Sequence, residues 1–243
     1  MVKLSAPFVE FIESIARAGA PLAEMMRRIG EELEKCKRLE TAGWLPHAEM
    51  PFKDISDSAL DSKAISEIVE RHYRESWPAI KAGFLESVAA CDLDDEAQAT
   101  FAEALEAHDT NLFRLTSRAL FPEIERLSRL AIHDGAMDRI ASQPMLREAA
   151  GSLTPGEMAV AGSHGLTLYS RLRDHLYANL TTEEDLAKIL ASPIPNRHAA
   201  VHGFSTYGTF KGSLNALILT EFIFRTISAL KQRARDQSEL AAA

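Results

Sequence analysis

Apolar residues recur at spacings of three and four along almost the whole chain, the period of a helix with one buried face. No stretch alternates as a half-buried strand does. Between Phe8 and Leu39 the apolar positions are Phe8, Ile12, Ile15, Ala16, Leu22, Met25, Met26, Ile29 and Leu33, with a break near Gly19-Ala20-Pro21. Gly43-Trp44-Leu45-Pro46-His47 through Pro51 reads as an ordered loop, because its prolines resist a helix. A short helix beginning near Asp61 and a longer one carrying Ile65, Ile68 and Val69 follow. Asp94-Asp95-Glu96 puts acidic groups at the positive end of a helix predicted over Ala97–Leu120. Pro122 then opens a new helix or kinks one that continues to Ile132. Ser142–Ser163, with Pro144, Gly151, Pro155 and Gly156, reads as loops around short helices and as an internal hinge.

Helix formers return over Leu166–Leu180, with Leu168, Leu172, Leu176 and Tyr177 on one stripe. Thr181-Thr182-Glu183-Glu184 offers a capping box for a helix ending at Leu190, and Ser192-Pro193-Ile194-Pro195 breaks the chain again. A short helix over Asn196–His202 is closed by Gly203, and a last long helix runs from about Thr209 to Gln232. Its run Leu214–Leu230 contains Asn215, Glu221 and Arg225, so it is expected to be a core helix and not a membrane span. The fold class is all-α, a helical bundle. Residues 1–140 form a helical region packing on the core, 141–240 the region with the short helix, and the 243 residues make one continuous globular unit.

Composition narrows the function. With 46% hydrophobic and 26% charged residues the chain is no disordered polymer. Its 27 basic and 35 acidic residues give a net charge of −8, which excludes a protein that coats nucleic acid and confines any RNA contact to a local patch. Arg171, Arg173 and His175 on one helix, and Arg126 with Arg129 on another, are the candidates. Cys36 and Cys91 are too few for a disulfide framework, and the expected setting is reducing and cytoplasmic. Lys3, Glu10 and Glu13 interrupt the apolar residues that a signal peptide requires. The sequence has no glycine-rich phosphate loop, Gly-x-Ser-x-Gly elbow or Cys-x-x-Cys pair. Cys36 lies between Lys35 and Lys37, which favour a thiolate, but the sequence indicates no histidine partner for it. Trp44 and Trp77 read as core anchors.

The chemistry-bearing segment is Pro195-Asn196-Arg197-His198-Ala199-Ala200-Val201-His202-Gly203. Arg197 and His202 are five apart, roughly 140° around a helix, so they share an edge. Metal-free cleavage of RNA needs a histidine to move the 2′-hydroxyl proton and a permanent cation on the phosphate, and this pair supplies both. A metal site is the second option: His198 and His202, four apart, share a face, with His175, Glu125 or His108 as further ligands. No glutamate follows His198, so the metalloprotease pattern is missing; neither metal nor cofactor is expected. In a purely structural alternative, Arg197 and His198 tie helices together and a backbone carbonyl satisfies His202. Arg126 and His133 repeat the Arg–His combination, but Leu127 follows that arginine. Glu125 is a candidate carboxylate for orienting Arg197. Glu221, in an apolar helix, either faces solvent or needs a partner among Arg197, Arg225 and Lys211.

Arg197-His198-Ala199-Ala200-Val201-His202 resembles the Arg–polar–(three to five residues)–His signature of HEPN domains, found in many prokaryotic RNase toxins and abortive-infection proteins. The setting is similar: the motif ends one helix and leads through a tight loop into an apolar final helix. Tyr207-Gly208, Ser213-Leu214-Asn215-Ala216-Leu217, Gly43–His47 and Phe121-Pro122-Glu123-Ile124-Glu125-Arg126 also look like segments of HEPN-like helical proteins. The resemblance implies a homodimer with a composite site, a metal-independent endoribonuclease of defence or stress, and products with a cyclic phosphate end. Arg197 would then stabilise the phosphate, His202 would act as base or acid, and His198 would orient the site. Asn196, adjacent, would assist in binding the RNA; Tyr207, in the loop after the motif, either stacks on a base or bonds a phosphate of the RNA, or packs that loop, the preferred reading. The expected partners are RNA, a second copy and an antitoxin or regulatory protein, with no membrane. The alternative within the same fold is a catalytically silent module that binds a partner protein or nucleotide.

Overall fold

A computed structural model describes residues 24, 27, 30–133, 164–176, 178 and 180–242. Among these the regular structure is entirely helical. Helix α1 (30–41) leads into a loop and then α2 (Ser62–Glu75), α3 (Trp77–Ala89), α4 (Asp95–Asp109) and α5 (Phe113–His133). After the undescribed interval come α6 (Gly165–Arg171), which passes into a π-helical turn over Leu172–Leu176, then α7 (Glu183–Leu190), α8 (Arg197–Val201) and α9 (Phe210–Ala242). The hinge expected over Ser142–Ser163 lies outside the described residues.

Local chemistry explains most of the boundaries. Asp61 caps α2 by accepting from Ala64 N–H at 2.8 Å, so the two helices expected from Asp61 onward are one. Asp94 caps α4 in the same way, through Ala97 N–H at 3.0 Å. The single helix expected over Ala97–Leu120 is instead divided. Asn111 adopts φ of 60°, Leu112 N–H donates to Ala107 C=O at 2.7 Å and Asn111 N–H to His108 C=O at 3.0 Å, which is a Schellman stop. Pro122 stands inside α5 with its face exposed, so water can serve the Arg118 carbonyl that loses its helical donor. The capping box of α7 is Thr182 with Asp185, one residue beyond the expected pair.

Helix α9 is the axis of the bundle. Its apolar stretch, Phe210–Glu239, is long enough to cross a membrane, but 78% of its most apolar window is buried against other helices. Leu214, Leu217, Ile218, Phe222, Ile223 and Phe224 leave almost no apolar surface exposed around the helix. Helices α3, α4, α5 and α6 pack on it, and α8 sits between α5 and α7. The core runs as one cluster from Leu39 to Ile227 and includes Trp44 and Trp77, as expected.

One buried amide ties distant loops to this axis. Asn215 on α9 accepts from Leu45 N–H at 2.9 Å through Oδ1, while its Nδ2 donates to Gly43 C=O at 2.9 Å and Pro193 C=O at 3.4 Å. Gly43 has φ of +82°, and a Cβ there would stand 2.5 Å from Pro193 Cγ, so the crossing admits only glycine. The loop around Trp44 thereby braces the Pro193–Pro195 segment that aims α8.

Candidate functional site

Helix α8 is only five residues long and is held by its flanks. Asn196, its N-cap, is fully buried: Oδ1 accepts from Ala199 N–H at 2.9 Å, and Nδ2 donates to the carbonyls of His175 at 2.7 Å and Ala178 at 3.2 Å. The same side chain therefore caps the start of α8 and binds two carbonyls at and just after the end of the π turn, of which that of His175 also accepts from Ala178 N–H at 3.1 Å. Its backbone N–H donates to Tyr207 Oη at 2.9 Å. Tyr207 is buried at φ of 43°, a left-handed conformation unusual for an aromatic residue, and burial pushes its hydroxyl above the ordinary tyrosine range. Asn196, expected to assist in binding RNA, and Tyr207, expected to contact RNA or to pack its loop, are thus both turned into the fold and bonded to it.

At the other end, His202 is the C-cap and Gly203 turns the chain at φ of +78°. Ser205 N–H then donates to Ala199 C=O at 2.9 Å. Between these pins His202 is exposed, and its ring stacks on His198 with centroids 5.5 Å apart and planes at 15°. Burial, then the charge of Arg197 and that of His202, hold His198 below the ordinary histidine range. Arg197 is mostly buried and forms an ion pair from Nη2 to Glu125 Oε1 on α5. Its Nε is buried and has no hydrogen-bond partner among the described residues. Glu125 thus reaches the arginine as expected. Arg118 and Arg129 lie on the same face of α5, about 10 Å before and 6 Å after Glu125 along the axis. Arg118 is exposed and Arg129 half-buried, so the corner is locally basic in an acidic protein.

The other sequence-derived candidates have structural explanations. Arg171 pairs with Glu40, and His175 makes a 2.8 Å bond from Nε2 to Ile194 C=O with burial lowering its pKa. That helix is therefore built into the fold at those two positions, and the side chain of Arg173 lies outside the described set. Arg126 binds Glu123 and the capping Asp94, so the Arg126–His133 combination is no second site. Glu221 is buried, and beside the expected Arg225, whose charge acts on it, stands a partner not expected: His47 Nε2 lies 3.4 Å away, and His47 Nδ1 is 2.8 Å from Tyr73 Oη. Burial alone would raise the Glu221 carboxyl, but bonds from His47 and Ser87 and the charge of Arg225 hold it below the usual range.

Cys36 does have a histidine neighbour, His164 Nδ1 at 3.6 Å. Burial outweighs a bond with Thr167 and the charge of Lys35 and raises the thiol, and burial lowers the imidazole, so at neutral pH the two face each other uncharged. Among the described residues no group of three or more His, Cys, Asp and Glu side chains is arranged to hold a metal ion. The stacked rings of His198 and His202 lie nearly parallel, an arrangement unlike two ligands converging on one ion.

Sequence reasoning missed Phe204. It is 52% exposed, follows Gly203, and its ring centroid lies 6.5 Å from that of His202. Val201, 48% exposed, is on the same turn. The available signal was an aromatic residue directly after the helix-closing glycine. No family model matches the chain, and neither a curated protein nor a solved structure matches it.

Proposed function

We propose that this chain is a HEPN-like, homodimeric, metal-independent endoribonuclease of defence or stress, with Arg197, His198 and His202 as its reacting groups. The observation that carries this reading is the α8 corner. An arginine held by Glu125 and two stacked imidazoles, one exposed, stand together on a short helix pinned at both ends. A helix serving only packing has no need of that combination at its surface. Arg118 and Arg129 add the local positive charge that an acidic protein needs in order to meet a phosphodiester.

In the reaction so assigned, a 2′-hydroxyl attacks the adjacent phosphorus and an imidazole of the site takes its proton. The 5′-oxygen leaves with a proton supplied by a second imidazole, giving a 2′,3′-cyclic phosphate and a free 5′-hydroxyl. Stacked rings suit this exchange, because they set two groups able to move a proton side by side. The Arg197 guanidinium stabilises charge on the phosphorane, with Glu125 fixing its plane.

The ion pair favours a second reading. Arg197 is already neutralised by Glu125 and mostly buried, which suits a silent module that binds a protein or nucleotide. Cleavage of tRNA and unstructured RNA in EDTA by wild type, Arg197→Ala and His202→Ala separates the two. Cleavage in EDTA that both variants lose, with cyclic phosphate ends, is the expected result. A folded dimer that cuts nothing puts the silent module first, and activity abolished by EDTA overturns the metal-free mechanism.

A further inference from the structure

The turn after α8 exposes an aromatic ring where exposure is unfavourable. Phe204 is 52% exposed and Val201 48%, yet the backbone around them is anchored: Gly203 closes the helix at φ of +78°, Ser205 N–H returns to Ala199 C=O, and buried Tyr207 accepts from Asn196 N–H. Tyr207 holds a left-handed φ of 43° within the same five residues. Such strain persists only where surrounding contacts enforce it, so the turn that carries Phe204 is held in place. The Phe204 ring stands 6.5 Å from His202 at an interplanar angle of 51°, and His202 stacks in turn on His198. An apolar ring, two imidazoles and an arginine thus follow one another along a single pinned edge.

We infer that Phe204 is a stacking platform for an unpaired base next to the bond being cut, so that the α8 corner takes single-stranded RNA. This rests on the proposed ribonuclease reading and adds its substrate class. Every base has a face that stacks on an aromatic ring, whereas in a duplex those faces are already occupied and the groove walls are sugar and phosphate. The imidazoles and Arg197 address the backbone, and the ring addresses the base of the same nucleotide. Val201 extends the apolar floor. Tyr207 packs the loop beside it, its hydroxyl accepting from Asn196 N–H.

The test compares wild type with Phe204→Ala, Phe204→Leu and Phe204→Trp on a fluorescent single-stranded RNA and on the matching duplex. Both affinity and cleavage are measured. Because Phe204 is exposed, all three variants should melt with wild type. Loss of one stacked base weakens single-strand binding by roughly 5- to 150-fold in the Ala and Leu variants, and Trp restores it. KM rises while kcat at saturation stays near wild type, and duplex binding does not change. A Leu variant that binds single strands as wild type does overturns the stacking role while leaving the nuclease reading intact. Phe204→Ala protein that becomes monomeric and binds RNA normally overturns it too, by assigning the ring to a second copy of the chain. Wild type that neither binds nor cuts RNA removes both the ribonuclease reading and this inference.

Discussion

Replacing Asn196 by alanine tests whether one amide holds the candidate site together. The substitution removes the N-cap of α8, about 1 kcal/mol by itself. It also takes the Nδ2 donor from the carbonyl of Ala178 and from that of His175, which keeps its bond from Ala178 N–H at 3.1 Å. An unsatisfied acceptor costs about 1–3 kcal/mol, and only the Ala178 carbonyl is left without this donor, so the total with the cap is roughly 2–4 kcal/mol. For a chain of this size that lowers Tm by roughly 4–16 °C. Asn196→Ser, which retains an oxygen to cap Ala199 N–H, should recover about 1 kcal/mol. Asn196→Asp keeps the cap but faces a carboxylate toward two carbonyl oxygens, and should be no more stable than the alanine variant. Urea unfolding at fixed protein concentration measures all three. An alanine variant that loses less than about 1 kcal/mol, the value of an exposed cap, refutes the claim that Asn196 joins α6 to α8.

Three further outcomes follow from the same geometry. His108 is buried with Nδ1 2.8 Å from Ser213 Oγ, and burial, then Arg74, depress its pKa to about 4. A depressed histidine is neutral when folded and protonated when unfolded between about pH 4 and 6.5, so stability is lost as pH is lowered through that window, by about 3 kcal/mol. His108→Gln should flatten that part of the urea-measured stability curve, and an unchanged slope would assign it to other groups. Arg126→Met leaves Glu123 buried without its cation and frees the Asp94 cap, lowering stability by roughly 2 kcal/mol once partial exposure of the arginine is allowed for. RNA cleavage per folded molecule should stay at wild type; a fall would make Arg126 part of the site. Glu125→Gln removes the charge opposite Arg197, so RNA binding should tighten and its salt slope steepen by about 0.7–0.9, as for one added phosphate contact. Weaker binding would mean that orientation of the arginine outweighs its charge.

Much of the fold was written in residues whose effect is local. Asp61, Asp94 and Gly203 each mark a helix end because their side chains or backbone freedom act within a few positions. The break at Asn111 was missed because the helical pattern on either side runs through it, and asparagine in the left-handed region is a tolerance the sequence does not advertise. The π turn over Leu172–Leu176 was equally hidden, since it shifts hydrogen bonds without interrupting the apolar stripe.

The site divides along the same line. That Arg197, His198 and His202 share one short helix follows from Pro195 and Gly203, which are neighbours in sequence. What each side chain touches is set by segments brought in from elsewhere. Glu221 finds His47 on a distant loop, and Cys36 finds His164 on the far side of the undescribed interval. Asn196 is a polar residue beside a candidate catalytic pair, and polarity at such a place reads as substrate contact. Burial decides otherwise, because a buried polar group must be bonded by the protein itself. The groups such a fold leaves for an external ligand are therefore those it declines to bury or pair, and at this corner they are His202 and Phe204. A histidine invites that reading from sequence alone; a phenylalanine invites the core, and only its exposure on a pinned turn reverses the expectation.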